Sequence, residues 1–187
     1  MSSIRDLFSG HVVAILCEGS AERIVMETLL DQGLLPFTAD DTITDDWDRP
    51  TILRMPAAKF ARIYLELTYP RPVIVLRVLD SVHEKFALPA AFRDVPVVSC
   101  YTRPEIERLI ILREGWESEW QRVKSRTKPS DFCKKRLGAH IKQEEWLRDY
   151  WTPEELCKAI REYDTIHQRT SDDEHTLADL LPPGPIA

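Results

Sequence analysis

Four short apolar runs constrain the fold of this chain more than any other feature of its sequence. Each run is rich in β-branched residues and almost free of polar ones, which is typical of parallel strands that are covered on both faces. A regular alternation of polar and apolar residues would instead indicate a sheet with one face in water. The runs are HVVAILC (11–17), TILRM (51–55), VIVLRVL (73–79) and VPVVSCY (95–101).

Helical patterns separate these runs along the chain. Residues 21–30 carry apolar side chains on one side and charged side chains on the other. We expect Ser20 to cap this helix and Gly33 to end it, and a second helix to cover about 57–67. The alternation predicts an α/β fold: a small, mainly parallel β-sheet of about four strands, flanked by helices and joined by right-handed crossovers.

After residue 101 the sequence changes to a helical region. We expect one helix over 103–126 with Pro104 in its first turn, and a shorter one that ends at Gly138. A last long helix is expected from Pro153, capped by Thr152. The predicted organisation is an α/β domain over 8–112, a helical extension over 113–175 and a flexible tail over 176–187.

Composition narrows the class of protein. Hydrophobic residues make up 43% of the 187 residues and charged residues 30%, which is ordinary for a globular domain. No window approaches the ~18 consecutive apolar residues of a membrane span, and the N-terminus lacks the apolar core of a signal peptide. We therefore expect a cytoplasmic protein that makes no contact with a membrane.

The four cysteines are widely spaced, and none forms a CxxC pair. A zinc site is therefore not expected, and reduced thiols agree with a cytosolic protein. Cys17 and Cys100 fall within apolar runs, so we expect them in the core. For the same reason Cys17, although it stands beside Glu18, is not interpreted as a nucleophile.

Charge is distributed unevenly along a chain whose net charge is −6. The segment 122–142 is strongly basic, whereas 40–48 and 171–175 are acidic. A basic patch on an acidic protein fits phosphate contact by one face, although a solvated helical face gives the same pattern. The predicted nucleic-acid contacts are Arg122, Lys124, Arg126, Lys128, Lys134, Lys135 and Arg136.

Four tryptophans fall among these basic helices: Trp116, Trp120, Trp146 and Trp151. Tryptophans interleaved with lysine and arginine could stack on the bases of a single strand. The interpretation that we favour is that they pack the helices together, because aromatic side chains dominate core burial.

Two carboxylates stand where strands end. Glu18 follows the first apolar run, and Asp80 follows the third. Ligands of open parallel sheets bind at the carboxyl ends of the strands, so the two acids converge if their strands are neighbours. Two close carboxylates repel unless a cation lies between them. Oxygen ligands of this kind suit Mg²⁺ or Mn²⁺, which could orient a phosphodiester and activate water.

The sequence ILCEGSAERIVMETLL resembles the first motif of the TOPRIM domain, in which a hydrophobic strand is followed by Glu-Gly and a helix. VIVLRVLDS is similar to the strand that carries the second TOPRIM motif, an Asp-x-Asp pair. The resemblance covers roughly residues 10–110. It implies a TOPRIM-like fold, a metal-binding or acid-base role for Glu18, and Mg²⁺ binding by Asp80.

The resemblance departs from the family pattern at the second aspartate of that pair. Val82 occupies the position and cannot ligate a metal, so Glu84 is the nearest candidate substitute. RloB-like TOPRIM proteins of prokaryotic defence systems, which are related to the OLD-type nucleases, carry a Pro-x-x-Glu helix after the fourth strand. Pro104 and Glu107 are similar to it, which makes Glu107 a candidate third acid. Because Glu105 and Glu107 diverge on a regular helix, we expect at most one to face the site.

Other interpretations of the same residues remain open. Glu18 could cap the helix that follows it, and Asp80 could form a local turn. His83 lies near the proposed site, although an exposed loop histidine is the simpler interpretation. The single glycine of EGSAE excludes a phosphate-binding glycine loop.

Three functions are consistent with these patterns. The first is a metal-dependent nucleic-acid-processing protein, either a small nuclease or a component of a prokaryotic defence or mobile-element system. The second is a TOPRIM-like module that has lost catalysis with Val82 and acts as a binding or regulatory subunit through a protein partner or a homodimer. The third is a nucleotide- or metabolite-binding α/β protein.

Overall fold

A parallel β-sheet forms the centre of the protein, whose computed structural model describes residues 3–171 and 174–184. The sheet has four strands in the order β2-β1-β3-β4, and all neighbouring pairs are parallel. The strands are β1 (Val12–Cys17), β2 (Thr51–Leu53), β3 (Val73–Leu79) and β4 (Val97–Tyr101). Each strand lies within one of the apolar runs, so the predicted α/β fold is confirmed.

The strand order places β1 directly beside β3. Cys17, the last residue of β1, lies opposite Val78 near the end of β3. The two strands therefore end together, and the residues that follow them, Glu18 and Asp80, leave the sheet at the same edge.

Helices cover both faces of this sheet. Within the described residues, none of them is long and apolar enough to cross a membrane. The helices are α1 (Ser20–Asp31), α2 (Ala57–Phe60), α3 (Arg108–Arg113), α4 (Glu117–Val123), α5 (Pro129–Leu137), α6 (Glu144–Tyr150) and α7 (Pro153–Ile166). A π-helical turn, Ala61–Leu65, continues α2. Single 3-10 turns form at Ile4–Phe8, Ala39–Asp41, Ala90–Phe92, Ala139–Lys142 and Leu177–Leu180.

Alternate residues of β1 pack into two separate apolar clusters. Val13 and Ile15 belong to a large cluster that also contains side chains of α1, α3 and α7. Ala14 and Leu16 face the other side, where they pack with Phe60 and its neighbours. Since both faces are buried, the strand has no polar positions, which explains its unbroken apolar sequence.

Residues 103–126 do not form the single helix expected from the sequence. Pro104 lies in a turn that precedes α3 and is not part of any first helical turn. Gly115, which has a φ of +69°, follows α3, and α4 begins at Glu117. The left-handed conformation is open to glycine because it has no Cβ, and it allows the chain to change direction there.

The helix ends agree with the sequence in three cases out of four. Gly138 is the C-cap residue of α5, as expected. Gly33 follows α1 with a φ of +65°, as expected for a helix stop. Thr152 caps α7, because its Oγ1 accepts a hydrogen bond of 3.3 Å from the N–H of Glu155. Ser20 is the first residue of α1, and the cap position is occupied by Gly19.

The C-terminal segment differs from the expected flexible tail. Residues 176–181 are folded, and Leu177, Leu180 and Leu181 are buried in the large apolar cluster. The segment before them is tied to the sheet, since the N–H of Tyr101 donates to the carbonyl of His175 at 2.8 Å. The burial of three leucines stabilises this segment in a fixed position, although segments near a chain end are often poorly ordered. Residues 185–187 lie outside the described part of the chain.

The cysteines and tryptophans pack as the sequence predicts. All four cysteines are free and buried, Cys17 and Cys100 completely. Trp120 and Trp151 are buried, and Trp116 and Trp146 pack against the same cluster. These side chains hold the helices of the second half of the chain against the sheet.

Candidate functional site

Glu18 and Asp80 lie in direct contact at the carboxyl edge of the sheet. The main-chain N–H of Asp80 donates a hydrogen bond of 3.0 Å to Oε2 of Glu18. The adjacency of β1 and β3 therefore brings together two acids that are far apart in the sequence.

This contact changes the ionisation of Asp80. Burial, the hydrogen bond with the Glu18 carboxyl and the negative charge of Glu18 together raise the pKa of Asp80 to about 6. Two carboxyl groups at this separation resist simultaneous ionisation unless positive charge compensates them.

A cavity of about 240 Å³ opens beside the two acids. It is bounded by the start of α1, the turn before α3 and the 3-10 turn that follows α5. Five of its lining residues carry a carboxyl group and one carries an amine. The lining residues are Glu18, Gly19, Ser20, Ala21, Glu22, Asp80, Glu105, Ile106, Glu107 and Lys142. We refer to it as the carboxylate cavity.

Glu22 is a member of this cavity that the sequence analysis missed. Its side chain is only 7% exposed, and its Oε2 accepts a hydrogen bond of 3.0 Å from the N–H of Gly19. Burial, followed by the charges of Glu107 and Glu18, raises the pKa of Glu22 to about 7. The only local signal was its position in the first turn of α1, which is equally typical of a capping glutamate.

Glu105 and Glu107 both line the cavity, which contradicts the expectation that at most one would do so. They lie in the turn that precedes α3, where the N–H of Arg108 bonds to the carbonyl of Glu105 at 3.1 Å. The divergence expected on a regular helix therefore does not apply. Glu105 accepts a hydrogen bond of 2.8 Å from the N–H of Ser130, while Glu107 is only 5% exposed.

Lys142 supplies the amine among these acids. Its Nζ lies 3.3 Å from Oε1 of Glu107. Burial acts against its charge, but the carboxylates of Glu107, Glu105 and Glu22 outweigh burial and raise the pKa of Lys142. It thus neutralises part of the negative charge of the cavity.

Glu84 does not line the carboxylate cavity. Its Oε1 accepts a hydrogen bond of 2.6 Å from Arg77, and its Oε2 accepts one of 3.0 Å from Arg54. Arg77 is almost fully buried in β3, and such a charge requires a partner. Glu84 is therefore engaged by two arginines rather than held available as the substitute ligand expected from the sequence.

Arg54 links this ion-pair group to the candidate site. Its Nη1 lies 2.6 Å from Oε1 of Glu18 and 3.0 Å from Oε2 of Glu84. Both oxygens of Glu18 thus have a partner, one in the guanidinium of Arg54 and one in the main chain of Asp80. Arg54 had no assigned role in the sequence analysis.

The chemistry of the cavity favours a hard divalent cation, because its donors are carboxylate oxygens. Mg²⁺ needs only one or two protein carboxylates, since it keeps several of its waters. Within the described residues, no three His, Cys, Asp or Glu side chains are arranged to hold a metal ion. The described residues therefore provide no complete cage for a metal ion, and an ion bound here would have to keep most of its waters.

The basic segment lies mostly outside the cavity. Arg136 packs over Trp116 and Phe132 and pairs with Glu119, and Lys134 lies 4.0 Å from Asp131. Four further cations are exposed: Arg122, Arg126, Lys128 and Lys135. Lys124 lines a separate groove that begins at Asp80.

The loop after Asp80 borders that groove as well. Val82 is half-buried and His83 is exposed, and both line the groove next to Asp80. His83 lies outside the residues that bound the carboxylate cavity.

Comparison with known proteins identified no relative of this chain. No protein-family model, no curated protein and no solved structure matches it.

Proposed function

We propose that the protein is a TOPRIM-like, divalent-cation-dependent enzyme that hydrolyses phosphodiester bonds in nucleic acid. In this proposal it acts as a small nuclease or as a component of a prokaryotic defence or mobile-element system. The observation that carries the proposal is the contact of Glu18 with Asp80 at two adjacent strand ends. Two carboxyl groups this close ionise together more easily when a cation lies near both, which supports the proposal.

Each acid of the carboxylate cavity has a distinct part in this proposal. Glu18 and Asp80 hold Mg²⁺ or Mn²⁺, which when bound polarises a phosphoryl oxygen and makes water more acidic. Glu22 holds or releases a proton near neutral pH, because its pKa of about 7 lies close to that of an effective acid-base catalyst. Lys142 offsets the charge of Glu107.

Val82 stands where the TOPRIM pattern has the second aspartate of its Asp-x-Asp pair, so one ligand of that pattern is missing. This proposal does not require Glu84 to replace it. Glu105 and Glu107 approach the same cavity from the turn before α3. There they would supply oxygen acceptors for the waters of a bound cation.

The proposal is tested by measuring cation binding and cleavage separately. Millimolar Mn²⁺ or Mg²⁺ should raise the melting temperature, because a ligand that binds only the folded state stabilises it. Glu18→Gln and Asp80→Asn should abolish both this rise and the Mn²⁺-dependent cleavage of single-stranded DNA. Glu145→Gln, an identical chemical change on the exposed surface of α6, should leave both intact. Cleavage that persists in the Glu18 and Asp80 variants would exclude these residues as the catalytic pair.

One observation favours the second candidate function, a non-catalytic binding or regulatory subunit that acts through a protein partner. Oε1 of Glu18 is 2.6 Å from Arg54, so an internal cation already compensates this carboxylate. In that case Glu18 and Asp80 stabilise the fold, and Arg54 replaces a metal. A melting temperature that does not respond to Mg²⁺ or Mn²⁺, in a protein that folds normally, supports this function over the first.

A further inference from the structure

A long groove leads away from Asp80 across the surface of the helical region. Two adjoining cavities, of about 710 and 720 Å³, share the lining residues Arg103, Pro104, Lys124, His167 and Gln168. The inner cavity reaches Asp80, and the outer one extends along α4 to the end of α7. The groove therefore connects the candidate site with a surface that the proposed catalysis does not use.

Cationic side chains line this groove, although the chain as a whole is acidic. The outer cavity is lined by Arg103, Arg108 and Lys124, and within the described residues no carboxylate lines it. In the inner cavity Asp80 is the one acidic residue among the described lining residues. Since the net charge of the chain is −6, a cationic groove of this kind favours an anionic ligand.

Arg103 is held in place at the junction of the two cavities. Its Nη2 lies 2.5 Å from Oε1 of Glu174, a carboxylate that is only 2% exposed. Its carbonyl accepts a hydrogen bond of 2.9 Å from the hydroxyl of Tyr163. Its Nε is buried and has no hydrogen-bond partner among the described residues. A side chain fixed in this way is preorganised for a ligand.

Lys124 differs from the two arginines of the groove in its pairing. Arg103 pairs with Glu174 and Arg108 with Glu117, whereas Lys124 forms no ion pair within the described part of the chain. Its amine is exposed near Glu117. Lys124 is thus the groove cation with the most charge available to a ligand.

Apolar surface accompanies these cations. Ile166, at the end of α7, is 43% exposed, and Pro104, which lines both cavities, is exposed too. Apolar contact next to cations matches a nucleotide, whose base is flat and apolar on its faces and whose phosphate is charged. Each cavity has a volume within the ~300–1,000 Å³ of ordinary ligand pockets, which suits an unpaired strand better than a broad duplex.

We infer that this groove binds single-stranded nucleic acid, with a backbone phosphate at Lys124 and Arg103, and leads the strand to Asp80. The inference rests on the proposed function and names its substrate as an unpaired strand. It also moves the interface: of the seven basic residues predicted from the sequence, only Lys124 lines the groove.

Binding of an oligothymidylate of about 12 nucleotides tests this inference, since single-strand sites span ~4–16 nucleotides. Fluorescence anisotropy is measured in EDTA at low salt, so that neither a metal nor cleavage contributes. Lys124→Gln should weaken binding about three- to tenfold and lower the slope of log affinity against log salt by about 0.7, the loss of one phosphate contact. Lys158→Gln, the same change on the exposed side of α7, should alter neither.

Three results would overturn the inference. The first is a loss of binding in Lys135→Gln equal to that in Lys124→Gln, which would assign binding to the surface of α5. A duplex of equal length could bind more tightly than the single strand, and polyglutamate of equal charge could bind as tightly as the oligonucleotide. The inference fails separately from the proposed function. If metal ions stabilise the protein but Lys124→Gln has no effect on binding, only the groove is excluded. If oligonucleotide binding needs Lys124 but metal ions have no effect, only the proposed catalysis is excluded.

Discussion

The main-chain N–H of Asp80 donates a hydrogen bond of 3.0 Å to Glu18, a residue 62 positions earlier in the chain. This bond ties the end of β3 to the end of β1. Burial, together with the neighbouring Glu18 carboxyl, raises the pKa of Asp80 to about 6. The ends of two strands that are far apart in the sequence are thereby linked at the candidate site.

Glu22→Gln should change how stability depends on pH. The pKa of Glu22 is raised from 4.5 to about 7 in the folded protein, so the folded state binds more protons than the unfolded state between these values. Stability from this group is full below pH 4.5 and is lost as the pH rises to 7 and above. The glutamine variant should be more stable than the wild type at pH 8, by about 2–3 kcal/mol, and this advantage should vanish near pH 4.

Urea unfolding at pH 4, 6 and 8 measures this difference. Glu66→Gln, at an exposed position, is the matched control and should follow the wild type throughout. A Glu22→Gln protein that is less stable than the wild type at pH 8 would mean that the bond to Gly19 outweighs the cost of the buried charge.

Arg54→Gln should strengthen the binding of Mn²⁺. Removing the guanidinium leaves Oε1 of Glu18 without its cation, so a metal no longer competes with an internal partner. We expect a gain of about two- to fivefold, because an exposed ion pair is worth ~0.2–1 kcal/mol. Calorimetric titration measures it, with Arg62→Gln as the control arginine. Weaker binding would indicate that Arg54 positions Glu18 for the metal.

Glu174→Gln should destabilise the protein at neutral pH by about 3 kcal/mol, because it removes the charge that Arg103 and His167 contact. Burial acts against the ionised form of Glu174, but hydrogen bonds from Thr170, His167 and Arg103 outweigh it and lower the pKa to about 2. This stabilisation is present above pH 4.5 and is lost as the pH falls to 2.

Thermal unfolding of wild type and Glu174→Gln from pH 7 to pH 2 should therefore converge at the acidic end. Glu154→Gln, in the exposed first turn of α7, is the control. It should lose no stability at pH 7, so its unfolding should follow that of the wild type at every pH. A constant difference at all pH values would attribute the effect of Glu174→Gln to packing rather than to charge.

Gly138→Ala should cost about 2 kcal/mol or more of stability. Gly138 has a φ of +98°, and a Cβ at this position would lie 2.8 Å from Cε1 of His140. Gly115→Ala shares the positive φ but has open space around it, so it should cost less. Because Gly138 starts the turn that carries Lys142 to the carboxylate cavity, Gly138→Ala should alter metal binding as well. Equal losses in both variants would show that backbone strain alone matters.

The site itself was only partly predictable. Glu18 and Asp80 could be found because each follows an apolar strand, a local feature. Glu22 could not be recognised, since its burial depends on the turn before α3 and on Lys142, both distant in sequence. The partners of Glu84 were not predictable either: its position after Asp80 suggested a ligand, and the structure pairs it with two arginines from β3 and the end of β2.

The amino-acid sequence alone determined the strands, most of the helices and the parallel class of the sheet, because the period of apolar residues and the turn residues act over a few neighbouring positions. The tertiary structure decided the strand order, the meeting of the five carboxyl groups and the groove that leaves them. Those features depend on which distant segments pack together. The local pattern of an element shows which of its faces are buried, but it does not show which other element buries them.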